Sequence, residues 1–198
     1  HRCQIENWNL IEYILHYEDK NILNYMEECY QIMMMNIQNG LEKEGLLPGE
    51  LRVSRKAKTI YNNLKENESD ERREKRLISA YAFAASEENA SGAVVVTAPT
   101  CGASGVLPAL IRYLEEKEYS HDEILKGMLV AGLIGSLIKQ NASISGAECG
   151  CQAEIGTACS MGAAFVAYMY HQDIHKIEHA SEIALEHHLG LTCDPIKG

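Results

Sequence analysis

The segment between residues 141 and 159 constrains this chain more than any other part of its sequence. It reads Asn-Ala-Ser-Ile-Ser-Gly-Ala-Glu-Cys-Gly-Cys-Gln-Ala-Glu-Ile-Gly-Thr-Ala-Cys, with three thiols, two carboxylates and many small residues. A surface helix would carry more charge, and a segment of plain hydrophobic core would carry fewer cysteines and no glutamates. This mixture of residues therefore indicates a functional site as well as a packed element of secondary structure.

Hydrophobic spacing along the chain predicts an all-α fold. Apolar side chains recur three or four residues apart between residues 7 and 39, and helices are also expected over 107–117, 150–170 and 174–188. Ser120 and Glu123 form a capping box that opens a further helix, which runs to about Lys139. Val94–Val96 is the only strong strand signal, and the Thr-Ala-Pro-Thr after it limits it to a short extended segment.

Three glycines interrupt the helix that Ser120 opens. Gly127, Gly132 and Gly135 each cost up to ~1 kcal/mol relative to alanine inside a helix. We expect another backbone to approach this helix closely at these positions.

The amino-acid composition changes near residue 85. Residues 1–85 carry a net charge of −2 and 3 of the 15 glycines, whereas residues 86–198 carry −8, 12 glycines and 5 of the 7 cysteines. We predict an N-terminal helical part with a charged linker over 1–85 and a helical core that carries the site over 86–198, joined as one continuous domain.

Charge and hydropathy exclude several classes of function. The net charge of −10 argues against nucleic-acid binding, which needs clustered Lys and Arg. No apolar run reaches the ~18 residues of a membrane helix, and the N-terminus shows no signal-peptide pattern. Seven cysteines without a secretory signal favour a reducing compartment, so we expect a cytoplasmic protein.

The residues alone leave the choice of thiol ligands open. Thiolates hold iron–sulfur clusters because sulfur is soft and anionic, and three of them leave one iron open for substrate. Cys149 and Cys151 are too closely spaced for the usual C-x-x-C pair, so Cys151, Cys193 and a third thiol form a workable set. Zinc also accepts thiolates, but no C-x-x-C pair favours it.

Three blocks of the sequence resemble the catalytic chain of the iron–sulfur L-serine dehydratases. The family motifs Gly-Cys-Gln-x-Glu-Ile/Val-Gly and Gly-Leu-Thr-Cys-Asp-Pro are matched by residues 150–156 and 190–195, and residues 88–102 match an active-site segment. The blocks cover most of residues 86–198. In that family both motif cysteines are ligands, which implies that Cys151 and Cys193 bind a [4Fe–4S] cluster.

The resemblance also bears on the remaining cysteines. The family's third ligand lies about eleven residues beyond the second, in a Val-Gln-x-Pro-Cys segment, whereas this sequence begins at His1 and ends at Gly198. We therefore expect a fragment without the third ligand. We expect Cys149 to be a neighbour of the cluster, and Cys101 to line the site without binding iron if it is not simply buried. Buried small hydrophobes are the general expectation for Cys3, Cys29, Cys101 and Cys159.

The resemblance further implies a substrate site beside the Cys151 sulfur. Two segments of the family line its active site, and their hydroxyls and amides would hydrogen-bond the amino acid. His187 matches a family histidine close to the cluster edge. Each of these side chains could instead serve as an ordinary cap or turn residue. The residues implied for the substrate are Asn89, Ser91, Thr97, Thr100, Asn141, Ser143 and Ser145.

The activity implied by the resemblance is that of a lyase. It would convert L-serine to pyruvate and ammonia, with the [4Fe–4S] cluster as Lewis acid, and no lysine lies in a recognisable pyridoxal phosphate context. Some members are two-chain enzymes, so we expect a β-subunit partner that could supply the base. A homo-oligomer is also compatible with the sequence. Two alternatives stay open: a cysteine desulfidase-like lyase, and a non-catalytic helical interaction subunit.

Overall fold

The computed structural model of this protein describes residues 1–193. Regular secondary structure in this range is helical, apart from one isolated bridge between Leu46 and Ser54. The prediction of an all-α fold is confirmed, and no strand is assigned at Val94–Val96. The helices are α1 (Arg2–Glu6), α2 (Leu10–Tyr17), α3 (Ile22–Glu42), α4 (Ala57–Asn62), α5 (Asp70–Ala90), α6 (Val106–Glu115), α7 (His121–Asn141), α8 (Gly146–Cys149), α9 (Cys151–Met169) and α10 (Ile174–Glu186).

Local capping explains where several helices begin. The Asn9 side chain accepts a hydrogen bond from the Glu12 amide at 2.9 Å, and the Glu12 carboxylate accepts one from the Asn9 amide at 2.7 Å. The predicted capping box at Ser120 is confirmed, because Ser120 and Glu123 make the same reciprocal pair at the start of α7. Both arrangements satisfy amide groups that the first turn of a helix leaves without partners.

Helix α9 lies in the interior, between α7 and α10, and it also contacts α6. Small residues along it allow this close packing. A Cβ atom at Gly162 would lie 2.7 Å from the Leu110 side chain on α6, and one at Gly156 would lie 3.2 Å from Leu185 on α10. Phe165 is fully buried in the same helix. Because α9 is packed along its length, the position of its first residue is well defined.

The expected backbone approach at the glycines of α7 is wrong. A Cβ atom at Gly127 would meet the Phe165 ring at 2.7 Å, and one at Gly135 would meet the Met161 sulfur at 2.8 Å. Large side chains of α9 thus occupy the space, whereas Gly132 has nothing within 4 Å. Within residues 1–193, no helix is both long and apolar enough to cross a membrane.

Helix α5 joins the N-terminal helices to the rest of the fold. Its charged first turns give way to the buried residues Leu77, Tyr81 and Ala84. Gly40 of α3 contacts it so closely that a Cβ atom there would lie 2.4 Å from the Ala84 carbonyl oxygen. The helix runs across residue 85, and the division of the chain near that point stays a prediction.

Candidate functional site

Two of the predicted thiols lie together at the start of α9. Cys151 is the first residue of the helix, directly after Gly150, whose φ of 76° favours glycine. The Cys193 and Cys151 sulfur atoms are 2.8 Å apart, and both residues are exposed. The Gly190 amide donates to Gln152 Oε1 at 2.9 Å, which holds the 190–193 segment against α9. The predicted approach of these two cysteines, 42 residues apart in sequence, is confirmed.

The environment of Cys151 is anionic. The neighbouring Cys193 thiol is the main cause that raises the pKa of Cys151 above its usual value, and partial desolvation and the Glu154 carboxylate add to it. Two thiols this close cannot both ionise easily without a cation. Asp194 and Pro195, which complete the second motif, lie outside the described residues.

The remaining cysteines differ in exposure. Cys29 is buried, as expected, and Cys3 and Cys159 are half-buried. Cys101 is exposed, so the expectation of a buried small hydrophobe is wrong at this position, because the residue lies in an open turn before α6. Cys149 is also exposed, and its carbonyl oxygen accepts from Gln152 Nε2 at 3.3 Å.

A complete metal site is not formed by the described part of the chain. No group of three or more Cys, His, Asp or Glu side chains in residues 1–193 has the arrangement to hold a metal ion. His171, His175 and His179 recur at every fourth residue, a spacing that zinc sites also use, but they form no such group. Cys151 and Cys193 therefore provide two sulfur donors of a set that would need at least one more.

The first predicted substrate segment lies in the connection between α5 and α6, which we call loop A (residues 89–105). Asn89 Nδ2 donates to the Cys101 carbonyl oxygen at 3.0 Å and so ties the two ends of loop A together. Thr97 is exposed. The Thr100 hydroxyl is buried and has no hydrogen-bond partner among the described residues. Loop A thus exposes Thr97, whereas the Thr100 hydroxyl is enclosed by the protein.

A buried ionic network anchors loop A. Arg55, with a side chain only 7% exposed, donates to Glu88 Oε1 at 3.0 Å and to the Ser91 hydroxyl at 2.6 Å. Lys43 pairs with the other Glu88 oxygen at 2.5 Å, and Asn36 Nδ2 donates to the Val94 carbonyl oxygen at 2.9 Å. Ser91, predicted to bind substrate, has its hydroxyl engaged within the protein.

The second predicted segment forms the connection from α7 to α9, which we call loop B (residues 141–150). Asn141 Nδ2 donates to the Leu137 carbonyl oxygen at 2.8 Å, a bond within its own helix end. The Ser143 hydroxyl donates to Glu148 and accepts from the Ser145 amide at 3.1 Å. These contacts shape the turn, and they place Gly146 directly before the exposed end of α9.

Glu154 joins the two loops, and the sequence reasoning did not single it out. A Cβ atom at Gly102 of loop A would lie 3.3 Å from both Glu154 carboxylate oxygens, and one at Gly146 of loop B would lie 2.5 Å from Oε2. Loops A and B therefore meet at one carboxylate, one helical turn beyond Cys151. The signal was present in the sequence, because this glutamate belongs to the same seven-residue motif as Cys151.

His187 lies at the C-terminal end of α10 and is exposed. Its ring is 6.4 Å from that of His188, whose Nδ1 is 2.8 Å from the Ala184 carbonyl oxygen. His188 is the one nearer to α9, since a Cβ atom at Gly156 would lie 3.3 Å from its Cβ. The active-site role of His187 stays a prediction.

A cavity of about 1040 Å³ opens elsewhere, where α1 and α2 approach α7 and the start of α10. Trp8, Leu133 and Tyr168 contribute apolar surface to it. Neither Cys151 nor Glu154 lines this cavity, so its size does not identify the reactive site.

Comparison with known proteins agrees with the geometry. Residues 4–198 match the family described as "Serine dehydratase alpha chain". The chain is 46% identical to an L-serine dehydratase of Haemophilus influenzae over 88% of its length and 39% of the relative's. It is 42% identical to an L-serine dehydratase of Streptomyces coelicolor, over 91% of this chain and 40% of the relative. It is also 42% identical to L-serine dehydratase 2 of Escherichia coli, over 94% of this chain and 42% of the relative. The chain thus spans about 40% of the length of these relatives, and it belongs to the serine dehydratase alpha chain family.

Proposed function

We propose that this chain is the cluster-carrying catalytic part of an L-serine dehydratase, which converts L-serine to pyruvate and ammonia. The observation that carries the proposal is the pair of exposed thiols, Cys151 and Cys193, brought to 2.8 Å from distant parts of the sequence. The relatives that match most of this chain are named L-serine dehydratases. This chain spans about 40% of the length of those relatives.

Cys151 and Cys193 are the residues that would hold a [4Fe–4S] cluster. Their donor chemistry fits, because thiolates are the usual ligands of such clusters. Both would bind through their deprotonated sulfur atoms, which their exposure leaves open to a bound group. When bound, a cluster with an open iron supplies a Lewis acid that makes a hydroxyl a better leaving group.

Loops A and B would bind the substrate. The C-terminal half of the chain carries a net charge of −8, which opposes a carboxylate, so local hydrogen-bond donors are needed. In loop A the exposed Thr97 is the best placed, and the buried Thr100 hydroxyl would have to be uncovered to take part, with Asn89 and Ser91 supporting the shape of the loop. In loop B the corresponding residues are Asn141, Ser143 and Ser145, and His187 would complete the site from α10.

Other parts of the enzyme would complete this site. A third thiolate is needed to hold a cluster. We propose a β-subunit partner, as in the two-chain members of the family, and a group from that partner as the base that removes the α-proton. We also propose that the protein works in the cytoplasm, because a reducing compartment would keep both thiols reduced.

The experiment is an assay of the complete protein with its partner chain, purified without oxygen. We expect iron and acid-labile sulfide in the isolated protein, and pyruvate formed from added L-serine. Protein without iron and sulfide would contradict the proposal and favour a helical interaction subunit. Release of sulfide from L-cysteine without pyruvate formation from L-serine would instead indicate a cysteine desulfidase-like lyase.

A further inference from the structure

Glu154 occupies the place where loops A and B meet. It lies three residues after Cys151, on the same side of α9. Its carboxylate lies so close to Gly102 and Gly146 that a side chain at either position would contact it. The absence of side chains at both glycines leaves room for this carboxylate between the two loops.

Within residues 1–193 the Glu154 carboxylate has no hydrogen-bonding or ionic partner. Among the described residues, Glu154 has no hydrogen bond or ion pair, and its side chain is half-buried. Glu148 of loop B, by contrast, accepts a hydrogen bond from Ser143. Partial burial of an ionised carboxylate without donors costs free energy, and a cation bound there would offset that cost.

We propose that Glu154 binds the α-ammonium group of the amino-acid substrate, an inference that rests on the function proposed above. An ammonium group has three donors and a positive charge, which suit a carboxylate without partners. The exposed Thr97 hydroxyl of loop A is left for the substrate carboxylate. The two charged groups of one amino acid would thus be recognised by two different elements, α9 and loop A.

Glu154 could act as a binding residue or as a base, and the two roles predict different effects on ligand binding. As a binding residue it acts on every ligand that carries an ammonium group, whether or not the ligand reacts. As a base it would act only on the α-proton of a reacting substrate. Ligands that cannot lose water therefore distinguish the two roles.

The test is a ligand-observed NMR titration of the complete enzyme with its partner chain, purified without oxygen. L-alanine has the ammonium and carboxylate groups but no hydroxyl to lose, and propionate lacks the ammonium group as well. We expect Glu154→Gln to weaken L-alanine binding about tenfold or more, because a charge-assisted hydrogen bond is lost. Propionate binding should change by less than about twofold. Glu71→Gln is the matched control, because Glu71 is an exposed carboxylate on α5 outside the site, and it should leave both affinities unchanged.

A second variant moves the carboxylate without removing it. Gly146→Ala would place a Cβ atom 2.5 Å from Glu154 Oε2 and force the carboxylate away, so we expect the same selective loss of L-alanine affinity. Unchanged L-alanine binding in both variants would overturn the inference. A fall in kcat with unchanged L-alanine affinity would also overturn it, because that result indicates a base. A loss of iron from the variants would overturn it as well, because that result indicates a role at the cluster.

The experiments distinguish a failure of the proposed function from a failure of the ammonium-site assignment. If the unmodified enzyme forms no pyruvate from L-serine, the dehydratase proposal falls and this inference falls with it. If the unmodified enzyme forms pyruvate and the Glu154→Gln enzyme binds L-alanine normally, only the assignment of the ammonium site is wrong.

Discussion

Loop A and the thiol end of the site (residues 149–154 and 190–193) meet at Glu154 but are held in different ways. Loop A is anchored from beneath by Arg55 and Glu88, with side chains 7% and 1% exposed, and by the Asn36 side chain. At the thiol end both cysteines are exposed, and the two segments are joined by the Gly190–Gln152 hydrogen bond and the contact between the Cys193 and Cys151 sulfur atoms. The contrast indicates that buried ion pairs hold loop A, and we expect a bound group to add most to the order of the 190–193 segment.

The largest effect on stability is expected from the network beneath loop A. Arg55→Met would leave Glu87 without its nearby cation and Glu88 with only Lys43, so we expect a loss of about 3 kcal/mol in the free energy of unfolding. Urea unfolding of the cluster-free protein measures it. Lys75→Met is the control, because its exposed pair with Glu71 contributes little. A loss as small as the control's would remove the distinction between the two regions.

A smaller effect is expected where loop A enters α6. A Cβ atom at Gly105 would lie 2.5 Å from the Ser86 hydroxyl and 2.6 Å from the Ala82 carbonyl oxygen. Gly105→Ala should therefore destabilise the protein by about 1–3 kcal/mol in the same unfolding experiment. Gly132→Ala, in open space on α7, should instead stabilise by up to ~1 kcal/mol. Equal effects of the two substitutions would show that loop A is not tightly packed.

The smallest effect is expected at the thiol end. Cys193 is exposed, and its sulfur lies 2.8 Å from the Cys151 sulfur. Cys193→Ser should leave the urea midpoint of the cluster-free protein unchanged. A clear destabilisation of the cluster-free form would mean that packing, rather than a bound group, holds this segment.

The sequence predicted those features that depend on neighbouring residues. The capping box at Ser120 involves residues three apart, and helical spacing marked α3 and α9 through periodic apolar or small side chains. The approach of Cys151 and Cys193 was expected only because both lie in motifs of a known family. Spacing alone left the ligand set open.

Features that depend on distant residues were not predictable in the same way. Arg55 pairs with Glu88 across 33 positions, and nothing local in the basic stretch around it indicates a buried partner. At Gly127 the sequence indicated that something lies close but not whether it is backbone or, as found, the Phe165 ring. Glu154 became a candidate only when Gly102 and Gly146 were found on either side of its carboxylate.

The assignment of Cys151 and Cys193 as cluster ligands is tested most directly by the iron and acid-labile sulfide content of four serine variants of the complete protein, purified without oxygen. We predict that Cys151→Ser and Cys193→Ser abolish both iron and sulfide, because each removes one of the thiolates that hold the cluster. Cys101→Ser and Cys149→Ser should leave the content close to that of the unmodified protein. Equal loss in all four variants, or full retention in Cys151→Ser and Cys193→Ser, would contradict the assignment.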